Sequence, residues 1–159
     1  MPRGPFDAQG RPSILYERHI FSRLTRHIYD KTHPEISART GYGAAGYGSY
    51  ASQYGKLDIA YKLDPDAAYE AVSWGAFQIL GENYKQAGFD DINALVMAMR
   101  RSVADHLLAF VNFIRNGSGL MAALQKKDWA VFASKYNGPS YKSFAYDTKL
   151  AAAYAKNSN

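Results

Sequence analysis

Apolar residues recur with a helical period over most of the chain. Ile20, Phe21, Leu24 and Ile28 fall at spacings of one, three and four, which is one face of a helix. They predict a helix to about Asp30, before Pro34 turns the backbone away from helical angles. Ile14 to Tyr16, just ahead, reads as a short strand or turn up to Glu17. Four glycines between Gly41 and Gly48 suit no regular element and predict a long loop or a small irregular hairpin. A helix follows from Tyr50 to Lys62. Asp64 then caps another, with Pro65 at its first helical position. Ile92, Leu95, Val96, Met99, Val103, Leu107, Phe110, Val111 and Ile114 predict one core-facing helix of about six turns opening at Asp91. Asn116-Gly117-Ser118-Gly119 stops it. A short helix carries Leu120 and Leu124. Asp128 caps the next, with Trp129, Phe132 and Tyr136 on one face, and Asn137-Gly138-Pro139 breaks it. A last helix runs from about Ser143 to Ala155. No linker or internal repeat interrupts the pattern, so a single domain over residues 1–159 is expected.

Composition narrows the class. The 159 residues are 47% hydrophobic and 21% charged, an ordinary globular balance. Without cysteine, disulfides and thiolate metal sites are excluded. The longest apolar runs, such as Leu107 to Val111, are too short to span a membrane. Arg3, Asp7, Arg11, Glu17 and Arg18 leave no signal peptide visible in the first twenty residues. A protein made in the cytoplasm is expected, with any work outside it depending on another factor for release or export. The formal charge of +5 suits an anionic partner. Thirteen tyrosines supply flat rings with polar tips, fit for stacking on sugars or bases as well as for cores.

Three segments place polar groups among aromatics or glycine: Tyr16-Glu17-Arg18-His19, Ser73-Trp74-Gly75-Ala76-Phe77-Gln78-Ile79 and Tyr136-Asn137-Gly138-Pro139. Glu17 follows three apolar residues. Desolvation there keeps a carboxyl protonated toward neutral pH, as a glycosidase acid requires. The plainer alternative is a surface pair with Arg18 or another arginine. Gly75 lets a backbone approach a ligand, and Gln78 offers both donor and acceptor. Alternatively Ser73 caps a helix start and Trp74 fills the core. Asn137-Gly138-Pro139 is either a helix stop and turn or the polar lining of a groove.

Taken together, these segments resemble the lysozyme superfamily, and most closely the N-acetylmuramidase family found in phage endolysins and prophage regions. The matching motifs are Gly10-Arg11-Pro12-Ser13-Ile14-Leu15-Tyr16-Glu17-Arg18-His19, Ser73 to Ile79, and Asp128-Trp129-Ala130-Val131-Phe132-Ala133-Ser134-Lys135-Tyr136-Asn137-Gly138. The resemblance implies a mostly α (α+β), lysozyme-like fold with a small irregular β region before or around the glycine-rich loop. It implies cleavage of the β-1,4 bond between N-acetylmuramic acid and N-acetylglucosamine in peptidoglycan. Glu17 would be the catalytic carboxyl, with Ser73, Gln78, Tyr136 and Asn137 lining the sugar groove. Glu35 is a weaker candidate for a second carboxylate. The family also carries a helix ending in Val-Glu-Ser ahead of the Gly-Arg-Pro motif. The resemblance implies that this helix is missing from a chain starting at Met1, so that Glu17 is the acid or the partner of an absent one.

The enzymatic alternative is a lytic transglycosylase, and the non-enzymatic one is a peptidoglycan-binding module. The tyrosines and glycines from Arg39 to Tyr54 superficially suit nucleic acid, but too few cations flank them to engage phosphates; no nucleic-acid partner is expected. His19, His27 and His33 lack ligand spacing with a third group, so no metal and no cofactor are expected. Peptidoglycan is the expected partner, without stable membrane insertion, and the chain is expected to be a monomer.

Overall fold

A computed structural model describes residues 4–158. By its internal contacts the chain divides into two compact units, one ending at Phe113 and one beginning at Ile114.

The first unit is built on a three-stranded antiparallel sheet, β1 (Ile14–Tyr16), β2 (Val72–Trp74) and β3 (Ile79–Leu80), in that spatial order. Ile14 pairs with Trp74 and Tyr16 with Val72, while Ser73 lies opposite both Leu15 and Leu80. Strand alternation therefore sends Ile14, Tyr16, Val72 and Trp74 into the core, each at most 3% exposed. Leu15 and Ser73 face the other way. The sheet joins residues on both sides of the glycine-rich loop, so the β region is not confined to the loop's surroundings. Ser73 is a strand residue and not the cap of a helix. Trp74 fills the core and donates its indole N–H to the Tyr69 carbonyl at 3.0 Å.

Helices cover this sheet. The first, α1 (Arg18–Leu24), ends well before the expected Asp30, giving way to turns in which Arg26 and His27 take positive φ. The glycine-rich segment is a loop with one short 3-10 turn, Gly43–Ala45. Next come α2 (Tyr50–Leu63) and α3 (Pro65–Glu70), with Ser49 and Asp64 as their caps. The long helix expected from Asp91 is two helices, α4 (Ile92–Arg101) and α5 (Val103–Asn116). Ser102 takes extended angles between them. Its hydroxyl accepts from the Asp105 N–H at 3.1 Å and donates to the Asp105 carboxylate at 2.7 Å. Ser102 thus caps the start of α5 with its own side chain. The break rotates the buried stripe onto His106, Ala109 and Phe113, leaving Val103, Leu107 and Val111 exposed.

The second unit contains α6 (Leu120–Gln125), α7 (Trp129–Asn137), a 3-10 segment Pro139–Phe144 and α8 (Tyr146–Asn157). The last α-helix begins later than Ser143, because residues 139–144 wind as 3-10. Asp128 caps α7 by accepting from the Val131 N–H at 3.1 Å. Phe132 is 4% exposed and stacks on Tyr136. Trp129, expected on the same helix face as Phe132, is only half-buried against Tyr154. Charge is divided unevenly along the sequence. Twelve Lys+Arg and twelve Asp+Glu fall up to Phe113, against seven and two beyond it. The whole net charge of +5 thus belongs to the second unit.

Candidate active site

Glu17 stands where strand becomes helix. Its N–H donates to the Ala71 carbonyl at 2.9 Å, extending the β1–β2 ladder by one step. It also precedes α1 as the cap residue, yet its side chain makes no capping bond. The carboxyl is turned elsewhere. Tyr47 donates its hydroxyl to Oε2 at 2.9 Å, and His19 Nδ1 is 3.5 Å from the same oxygen. The side chain is 15% exposed. Burial pushes the carboxyl above its usual value, while the Tyr47 bond, then His19, then Lys56 pull it back. The net shift is upward, the direction a general acid requires.

Arg18 does not neutralise this carboxyl. Its guanidinium donates to the carbonyls of Gly41, Thr40 and Pro34 at 2.8, 3.0 and 3.2 Å. It also lies 4.6 Å from the centre of the Tyr42 ring. The surface-pair reading of Glu17 with its neighbour is therefore excluded. Arg18 instead fastens the start of the glycine-rich loop.

Three residues not singled out in the sequence complete the surroundings. Tyr47 comes from the glycine-rich loop. Gln53, 1% exposed, accepts from the Tyr16 N–H and donates to the Tyr47 carbonyl at 2.7 Å. Lys56 Nζ donates to the same carbonyl at 2.6 Å and lies 3.8 Å from the Tyr42 ring centre. A signal for Gln53 was available, since it shares the inward face of α2 with Leu57 and Ala60, and a polar residue at such a position must find partners.

The other expected site residues are spread over the two units. Ser73 is half-buried on the non-core face of the sheet. Gln78 has φ of 52° and donates from Nε2 to the Gly75 carbonyl at 2.9 Å and the Ser13 carbonyl at 3.3 Å. Its NH2 group thus ties the β2–β3 turn to the segment before β1. Glu35 is exposed after Pro34, and its main-chain carbonyl accepts from Tyr42. In the second unit, Tyr136 is half-buried beside Phe132, and Asn137 is exposed at the end of α7, before Gly138 with φ of 83°. A separate cleft of about 390 Å³ has mostly apolar walls, including Phe6, Ile14, Tyr50 and Tyr54, and does not include Glu17.

The muramidase family model, described as N-acetylmuramidase, matches residues 3–158. The chain belongs to this family. Among solved structures, this muramidase-family chain is similar to the endolysin of Burkholderia phage AP3. The two are 40% identical with a TM-score of 0.87, over 98% of this chain and 59% of the endolysin chain. The muramidase-family chain therefore spans less than two-thirds of that protein's length. No curated protein matches it. The lysozyme-like, mostly helical fold expected from the motifs is the fold found. No helix among the described residues is long and apolar enough to cross a membrane.

Proposed function

We propose that this protein is a peptidoglycan hydrolase that cleaves the β-1,4 bond between N-acetylmuramic acid and N-acetylglucosamine, with Glu17 as general acid. The observation that carries the reading is the half-dry Glu17 carboxyl, held by Tyr47 within a family motif. A protonated carboxyl at this position delivers its proton to the glycosidic oxygen as the C–O bond breaks. Ser73 and Gln78 would bind the glycan in the first unit, and Tyr136 and Asn137 in the second. The cationic second unit suits an anionic wall polymer. The protein would act on the bacterial cell wall after release or export by another factor.

Glu17→Gln tests the assignment, being nearly isosteric while removing the acidic proton. It should lower lysis of outer-membrane-permeabilised cells by about 10² to 10⁴, the usual contribution of a general acid, with an unchanged circular dichroism spectrum. Clearing at the wild-type rate would remove Glu17 from the chemistry.

One observation favours a second reading. Among the described residues, the groups that act most on the Glu17 carboxyl are Tyr47, His19 and Lys56, none of them a second carboxyl. A single carboxyl is what a lytic transglycosylase uses, the sugar's own 6-hydroxyl replacing water. Mass spectrometry of digested sacculi separates reducing ends from 1,6-anhydro ends, and a non-catalytic binding module would release neither.

A further inference from the structure

The two oxygens of Glu17 have different surroundings. Oε2 faces the Tyr47 hydroxyl at 2.9 Å and His19 Nδ1 at 3.5 Å. His19 Nδ1 is sealed from solvent and has no hydrogen-bond partner within bonding distance. A small rotation of either side chain would make Oε2 its acceptor. Oε1 has no hydrogen-bond partner among the described residues and is not sealed from solvent.

We infer that Glu17 reacts through Oε1 alone, and that Tyr47 and His19 are positioning residues that reserve it, Tyr47 by its bond to Oε2 and His19 by facing the same oxygen. This rests on the glycosidase reading and assigns the proton to one atom.

The chemistry follows from donor and acceptor counting. A neutral carboxyl carries one O–H. With the Tyr47 O–H already pointing at Oε2, a proton on that oxygen would face another donor, so it resides on Oε1. There it meets the glycosidic oxygen as an acceptor. The Oε1–H bond breaks as the leaving oxygen takes the proton and the anomeric C–O bond opens. The negative charge left on the carboxylate is met at Oε2 by Tyr47 and His19, with Lys56 behind them. Water then supplies hydroxide to the anomeric carbon and returns its second proton to Oε1.

Tyr47 is fixed well enough for this task. Gln53 and Lys56 both hold its carbonyl. Its ring meets Tyr42 edge-on at 5.3 Å, and Tyr42 donates to the Glu35 carbonyl at 3.0 Å. Gln53 also accepts from the Tyr16 N–H at 3.1 Å. One buried amide thus sets the main chain on both sides of the Tyr47–Glu17 bond. Among the described residues, the titratable groups that interact with Glu17 are Tyr42, Tyr47, His19 and Lys56; Arg18 is occupied by main-chain carbonyls.

The test is Tyr47→Phe, which keeps the ring against Tyr42 and removes the hydroxyl. The Glu17 carboxyl is followed by NMR in protein with ¹³C-labelled glutamate, its resonance assigned by its loss in Glu17→Gln. Without the donor on Oε2, Glu17 should titrate at higher pH than in wild type. The basic limb of the pH–rate profile on purified sacculi should move in the same direction. At a pH on that limb the rate should gain about two- to tenfold relative to the plateau, the worth of one hydrogen bond. An unchanged Glu17 titration in Tyr47→Phe overturns the inference. If that variant fails to fold, His19→Ala at its half-exposed position must raise the titration, and no change there overturns it equally. If Glu17 titrates as described while Glu17→Gln digests sacculi normally, the glycosidase assignment fails and the positioning of Oε2 stands.

Discussion

Gln53 accepts a hydrogen bond from the Tyr16 N–H at 3.1 Å, across 37 positions of sequence. The same amide donates to the Tyr47 and Ser49 carbonyls. Gln53→Leu has similar volume but leaves the buried Tyr16 N–H without a partner. That should cost about 1–3 kcal/mol, read as a lower denaturant midpoint. Activity of the folded variant should fall further than stability, because Tyr47 and Glu17 lose their common support. Full activity in a destabilised variant would show that the amide serves folding alone.

The Glu17 carboxyl links stability to pH with a definite sign. Its folded value lies above its unfolded one, because burial outweighs Tyr47, His19 and Lys56. At low pH the group is neutral in both states. As pH rises past about 4.3, the unfolded carboxyl ionises first, and the folded state loses relative stability until Glu17 itself ionises. Glu17→Gln escapes this loss. Its melting temperature minus that of wild type should therefore grow with pH through this window and then level off. A difference that shrinks with rising pH would mean that the three partners outweigh burial.

Much of this was legible in sequence, for identifiable reasons. Asp64-Pro65, Asp91 and Asp128 marked helix starts because capping is local chemistry. The partial burial of the Glu17 carboxyl was legible because three apolar residues precede it. The break at Ser102 was missed, since neither Gly nor Pro announces it and the apolar spacing continues across it. Tyr47 was not legible as the partner of Glu17. Their bond joins a glycine-rich loop to a strand end 30 residues away, and no periodicity encodes such a contact. For Gln78, sequence could not distinguish a ligand-binding amide from one bonded to Ser13 and Gly75.

Gly75 should be among the least replaceable positions in the first unit. Its φ is 71°, and an added Cβ would lie 2.8 Å from His106 Nδ1. The His106 ring cannot easily yield. Nε2 lies 2.7 Å from the Met99 carbonyl, and Nδ1 accepts from the Ala76 N–H at 3.2 Å. Gly75→Ala thus combines left-handed strain with a clash against a fixed ring. We expect a loss of about 2–4 kcal/mol, measured by urea unfolding. A loss below about 1 kcal/mol would show that the turn readily changes conformation.

In the second unit, Phe132 and Trp129 should differ in their contribution to stability. Phe132→Ala empties a buried site beside Tyr136 and should cost about 3–5 kcal/mol. Trp129→Ala removes a half-buried ring and should cost clearly less. Equal losses in parallel thermal melts would indicate that the Trp129–Tyr154 contact is as important to the unit as its buried phenylalanine.

The uneven charge makes the last expectation quantitative. Lys142, Lys149 and Lys156 are all exposed, and Lys149 and Lys156, seven residues apart on α8, share a helix face. None of the three takes part in an ion pair among the described residues. Replacing all three by Glu changes the second unit from +5 to −1 without touching Glu17. Exposed substitutions of this kind shift stability by about 0.5 kcal/mol or less each. Binding to purified sacculi at low ionic strength should nevertheless weaken at least severalfold. Wild-type binding should itself weaken as salt shortens the range of the attraction to about 8 Å near 0.15 M. The triple variant should show little of that salt dependence. If wild type and variant bind sacculi alike at both salt concentrations, the positive charge of the second unit has no part in holding the wall.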